Sequence, residues 1–166
     1  TDGNSNCIIG NQAGYHLSGG SAVTSLGRNA GYYISGNYNT FIGQAAGRGI
    51  ITGGNSTENV AIGDSAMYYL DQGNYNVAIG KSALVGPAAG MTGDNNVAVG
   101  REAMSNTAAG SDNVGLGYKA AYDLTTGIDN VVIGSLAGEN MTTGSYNVII
   151  GTDAATTLTT ADANVI

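Results

Sequence analysis

His16 is the single histidine of this 166-residue chain and Cys7 its single cysteine. Any Ser-His-Asp or Cys-His arrangement would have to pass through them, and a zinc ion needs about four ligands that this pair cannot supply. Gly80-Lys81-Ser82 resembles the end of a phosphate-binding loop, but Tyr75 stands where the first glycine is required. Gly115-Leu116-Gly117 lacks the strand-helix-strand setting of a dinucleotide fingerprint. Glycoside hydrolysis needs two carboxylates across one groove, and Glu58, Glu102 and Glu139 fall at unmatched positions. Asp94, Asp112, Asp129 and Asp162 recur near a repeated Asn; Asp112 and Asp129 are the better calcium candidates, as stacked carboxylates beside carbonyl oxygens. The reading is no enzyme, no catalytic residue and no cofactor.

Tyrosine is the chemistry-bearing residue that recurs. Of ten tyrosines, Tyr15, Tyr32, Tyr68, Tyr75 and Tyr122 are candidates for stacking on a glycan, while neighbouring amides bond its hydroxyls. The competing expectation is that they cover coil edges and stack on one another. Thr125-Thr126, Thr142-Thr143 and Thr159-Thr160 fall at turns, which disfavours a flat ice-binding face.

The elements that must position these residues are repeats. Anchor glycines stand at Gly10, Gly27, Gly43, Gly63, Gly80, Gly100, Gly117, Gly134 and Gly151. Their spacing is 17 residues, with one deletion and two insertions, near Gly53–Glu58 and Val85–Gly90. The unit reads Gly-[Asn/Ser/Asp]-x-Asn-Val-x-Ile-Gly-x-x-Ala. Its Asn-Val-x-Ile part alternates with period two, as a short β-strand does, and stops at glycine. Such a unit cannot bury a core alone, whereas stacked units can. The anchor glycines, among them Gly63, Gly80 and Gly100, suit a corner with positive φ. Ala66, Ala83 and Ala103, three residues later, suit a tight inside corner. Asn76, Asn96 and their equivalents can bond along the stack as an amide ladder. Leu17, Ile34, Ile50, Leu70, Leu124, Met141 and Leu158 suit an opposite wall.

The alternation is read with Val77, Ile79 and their equivalents pointing inward. The residue between them then points outward: Phe41, Ala61, Ala78, Ala98, Val132 and Ile149 form an apolar stripe. Such a stripe exceeds what a monomer normally exposes and predicts burial against copies of the same chain. On that reading Ala98→Glu disrupts assembly more than the folding of a coil.

Composition limits the partners. The net charge is −7 with five Lys and Arg, which disfavours nucleic acid. No apolar run is long enough to span a membrane. Glycine is about 17%, without the period of three that collagen needs.

Asn59-Val-Ala-Ile-Gly63, Asn76-Val-Ala-Ile-Gly80 and Asn96-Val-Ala-Val-Gly100 resemble the head repeat of trimeric autotransporter adhesins. The 17-residue unit, as in Gly36-Asn-Tyr-Asn-Thr-Phe-Ile-Gly43, is more similar to the repeats of bacteriophage tail fibres. The resemblance implies a left-handed parallel β-roll, a homotrimer, a virion or cell-surface location and host attachment. It carries over no catalytic motif.

The expectation is therefore an all-β chain, residues 1–166, forming one parallel β-solenoid of about ten 17-residue coils as an intertwined or side-by-side homotrimer. Ten coils would make a rod roughly 45 Å long. Both ends fall inside a repeat, as expected of a segment of a longer fibre. The expected function is a tail-fibre or spike shaft presenting a receptor-binding surface to a glycan or protein. The alternative is a bacterial surface adhesin or a self-assembling extracellular filament subunit.

Overall fold

A computed structural model describes residues 3–51 and 54–166. The chain is an all-β parallel solenoid. Nine three-residue strands form one sheet in chain order: β1 (Cys7–Ile9), β2 (Thr24–Leu26), β3 (Thr40–Ile42), β4 (Val60–Ile62), β5 (Val77–Ile79), β6 (Val97–Val99), β7 (Val114–Leu116), β8 (Val131–Ile133) and β9 (Val148–Ile150). Every pair is parallel and in register: Ala61 lies beside Ala78, Ala78 beside Ala98, and Ala98 beside Gly115. Val165 adds an isolated bridge to Val148, the start of a tenth coil.

Each strand ends at an anchor glycine with φ between 129° and 138°. A Cβ there would sit 2.6 Å from the carbonyl oxygen of the next anchor, as at Gly80 against Gly100, so only glycine fits. Three further places per coil are left-handed. They are occupied by 24 non-glycine residues among those described, none of them Val, Ile or Thr. This exclusion follows from sterics, since a β-branched side chain at positive φ is strongly disfavoured.

The buried Asn sets which strand face looks inward. Asn59, Asn76 and Asn96 are fully buried, so alternation turns Val77 out, Ala78 in and Ile79 out. This inverts the orientation predicted from sequence. Phe41, Ala61, Ala78, Ala98, Val132 and Ile149 are fully buried in the coil interior and are not an outward stripe. Val77 is half-buried and Ile79 is exposed on the outside. Period two defines two faces without saying which is inside. Here the narrow coil takes the smaller residue of most strands and leaves the β-branched pair outside. Ala98→Glu would thus place a carboxylate in the core rather than at an assembly surface.

Ala30, Ala46, Ala66, Ala83, Ala103, Ala120 and Ala137 are fully buried inside corners, as predicted. Leu17, Ile34, Leu70, Leu124 and Met141 form the buried opposite wall, with Ile50 and Leu158 half-buried. The insertion at 85–90 loops out and returns through Met91, which is buried and bridges Leu70. Residues 52 and 53 of the other insertion lie outside the described residues.

Size is exchanged between the strand centre and the residue after the Ala corner. Phe41 faces Gly47 and Val132 faces Gly138, whereas Ala61 is matched with Met67, Ala78 with Leu84 and Ala98 with Met104. Coil seven has Gly115 and Ala121, both small. A Cβ on Gly115 would meet Met104 Cγ at 2.6 Å, so Met104 of the preceding coil fills that space.

Candidate interaction surfaces

Two side-chain ladders hold the coils in register. In the interior, the backbone N–H of Asn76 donates to Asn59 Oδ1 (2.9 Å), and Asn76 Nδ2 donates to Asn59 Oδ1 (3.2 Å) and to the Gly93 carbonyl (2.8 Å). Asn96 repeats this against Asn76, and the ladder runs on through Asn113, Asn130, Asn147 and Asn164. At the outer turn two residues before each Asn, the sense reverses. The N–H of Thr57 donates to Asn74 Oδ1, that of Asn74 to Asp94 Oδ1 and that of Asp94 to Ser111 Oγ. This accounts for the Asn, Ser or Asp of the repeat unit.

Asp94 and Asp162 belong to this outer ladder, where each carboxylate accepts a backbone N–H at 2.7 Å. Asp112 and Asp129 lie one position later, exposed and in left-handed backbone. Asn95 Nδ2 donates to Asp112 Oδ1. Among the described residues, no three of His, Cys, Asp and Glu come close enough together to hold a metal ion. Glu58 stands beside the interior ladder, Glu102 in an anchor corner and Glu139 on the far edge, so the three glutamates line no common groove.

The outer face of the sheet carries two columns, Val60, Val77, Val97, Val114, Val131, Val148 and Ile42, Ile62, Ile79, Val99, Leu116, Ile133, Ile150. All are half-buried or exposed; Ile150 reaches 59% exposure. The column that precedes the interior Asn flanks this face and contains the exposed Tyr38, Tyr75 and Tyr146.

The far edge lies half a coil from the strands, seven and eight residues after each strand centre. Tyr15, Tyr32, Arg48, Tyr68 and Tyr122 share its first column; His16, Tyr33, Gly49 and Tyr69 share the second. Tyr15 stacks on Tyr32 at 5.2 Å between centroids, and His16 on Tyr33 at 4.9 Å. The Arg48 guanidinium lies 5.6 Å from the Tyr32 ring centre, 5.3 Å from Tyr33 and 5.1 Å from Tyr68. Gly49 is buried in left-handed backbone, and a Cβ there would meet Ile34 Cδ1 and the Tyr33 carbonyl at 3.1 Å. Burial first, and then the neighbouring Tyr33 and Tyr15 hydroxyls, raise the Tyr32 pKa against the opposing pull of Arg48.

Of the five tyrosines singled out from sequence, three thus come together. Tyr122 lies apart, under Lys119 (4.7 Å), and Lys119 bonds Glu139 at 3.1 Å. The hydrogen bond to Glu139 is the main cause of a raised Lys119 pKa. Tyr75 lies on the sheet flank. Sequence reasoning missed Arg48, whose signal is its place in a tyrosine column, seven residues after the strand centre Phe41 as Tyr32 is after Ser25 and Tyr68 after Ala61. His16, which the sequence shows only as the single histidine, has its ring stacked on Tyr33.

No helix among the described residues is long and apolar enough to cross a membrane. No protein-family profile, curated protein or solved structure matches the chain.

Proposed function

We propose that the chain is a non-catalytic structural and adhesive fibre segment of the tail-fibre or spike-shaft kind. It assembles with copies of itself through the outer face of the sheet and presents its other sides as a receptor-binding surface. The observation that carries this is the pair of outward columns, apolar at both places from β4 to β9 and at the second place alone in β1 to β3, where Cys7, Thr24 and Thr40 precede it; a solvated sheet face would be polar at these places. Nine strands spaced about 4.8 Å apart and a strip about 10 Å wide give roughly 400 Å² of face, most of it apolar. That is about half of the ~800 Å² that each partner gives to a standard interface. The flank with Tyr38, Tyr75 and Tyr146 would complete it, and a closed ring gives each chain two such contacts. Sheet stacking along the whole axis suits a stiff spacer.

The test is the light-scattering mass of the purified chain and of Val97→Glu. One chain is 16.5 kDa, so a trimer reads about 50 kDa. The expected result is a discrete oligomer for the native chain. The variant should read one-chain mass with an unchanged β circular-dichroism spectrum. A native chain at one-chain mass, or a variant as large as the native assembly, would overturn self-association.

A further inference from the structure

We propose that the far edge around Arg48 binds a carboxylated polysaccharide: the guanidinium takes the sugar carboxylate, and the flanking tyrosines take the sugar hydroxyls and ring. This deepens the adhesive part of the function proposed above and rests on it.

Charge leaves Arg28 and Arg48 without an ion pair among the described residues, and of the two only Arg48 lies over aromatic rings. Lys81, Arg101 and Lys119 each lie within 3.7 Å of a carboxylate. Arg48 is held by aromatic rings alone, and no ion pair forms with it among the described residues. With the guanidinium carbon 5.1–5.6 Å from three ring centres and no carboxylate on it, its N–H groups are the donors that would take a carboxylate in bidentate fashion. The surroundings favour the same sign of ligand. Residues 3–57 contain two arginines and no Asp or Glu, whereas residues 58–166 contain eleven acids and three cations. An anionic polymer is therefore attracted to the first three coils and repelled by the rest of the rod.

The surface suits a sugar better than an acidic peptide. The backbone here is already used between coils: Tyr33 N–H donates to the Arg48 carbonyl, and Gly47 N–H to the Ala66 carbonyl. Among the described residues no strand lies on this edge to accept a peptide by strand addition. Stacked tyrosine rings, apolar in body and hydroxylated at the tip, match the mixed faces of a saccharide. The edge also lies on the opposite side of the coil from the sheet, so covering the sheet leaves it open.

The test is calorimetric titration of the native chain with trigalacturonate, its methyl ester and a polyglutamate peptide. Arg48→Gln and Arg28→Gln are titrated in parallel, and the mass and circular dichroism of every sample are recorded. The expected result is that trigalacturonate binds at least tenfold more tightly than its ester. Arg48→Gln should abolish that difference with unchanged spectrum and mass, and Arg28→Gln should keep it. Arg48→Lys controls for loosened ring packing: it keeps the charge but not the fork, and should lose part of the preference. Equal binding of acid and ester, no binding of either, or full preference in Arg48→Gln would overturn the proposal. Polyglutamate binding as tightly as trigalacturonate would overturn the glycan assignment. Loss of the native assembly mass would instead count against the self-association of the preceding section.

Discussion

At the scale of single residues, the interior is governed by paired volumes. Gly47 has φ of 54° and faces the Phe41 ring, into which a Cβ would intrude. Gly47→Met alone combines left-handed strain with overpacking, together about 2–4 kcal/mol. Phe41→Ala alone opens a cavity at a cost of about 3–5 kcal/mol. The double variant recreates the Ala61 and Met67 pair of the next coil, which tolerates the same backbone (Met67 φ 50°). Denaturant unfolding of the cycle should show the double variant more stable than either single one. Additive losses would mean that the two sites do not exchange volume.

At the scale of the element, one coil is defined by its buried Asn. Asn76 accepts from Asn96 N–H (2.8 Å) and donates to Asn59 and Gly93. Asn76→Ala leaves the Asn96 N–H and the Gly93 carbonyl without their partners, whereas Asn59 Oδ1 keeps the Asn76 N–H and Asn96 Nδ2 keeps the Gly110 carbonyl. At about 1–3 kcal/mol per unsatisfied buried group, a total near 3 kcal/mol is expected, read as a lowered thermal midpoint. An unchanged midpoint would show that water replaces the amide. The element also shows what the sequence makes legible. The anchor glycines, inside alanines, Asn ladder and opposite wall follow from periodicity and size, because each recurs with one physical demand. The direction of the strand faces does not, because Val-x-Ile is equally regular viewed from either side. It follows from recognising that a ladder Asn must be dry and therefore inside. The exchange between Phe41 and Gly47 is written across six residues and emerges only when coils are compared place by place. The Arg48 edge was hidden for a related reason, since an arginine in a tyrosine column reads as an exception until its neighbours are stacked around it.

At the scale of the whole molecule, each coil touches its neighbours and stability is close to a sum of coil and interface terms. Removing one complete unit, residues 101–117, joins Gly100 to Tyr118 and keeps the phase of every column. The shortened chain should fold with the same circular-dichroism shape and a modestly lower thermal midpoint. Loss of the β signal would show that the coils are not interchangeable.

The opposite senses of the two ladders also order events in time. In the interior ladder a later coil donates to Asn oxygens already fixed in the earlier one. In the outer ladder the earlier coil holds out an N–H that only the later coil's Asn, Ser or Asp can close. A chain emerging from its N-terminus meets a finished acceptor row at every coil and, on docking, latches the coil beneath it. Synthesis and folding can then advance together, one turn at a time, with the growing end of the rod serving as the template for the next.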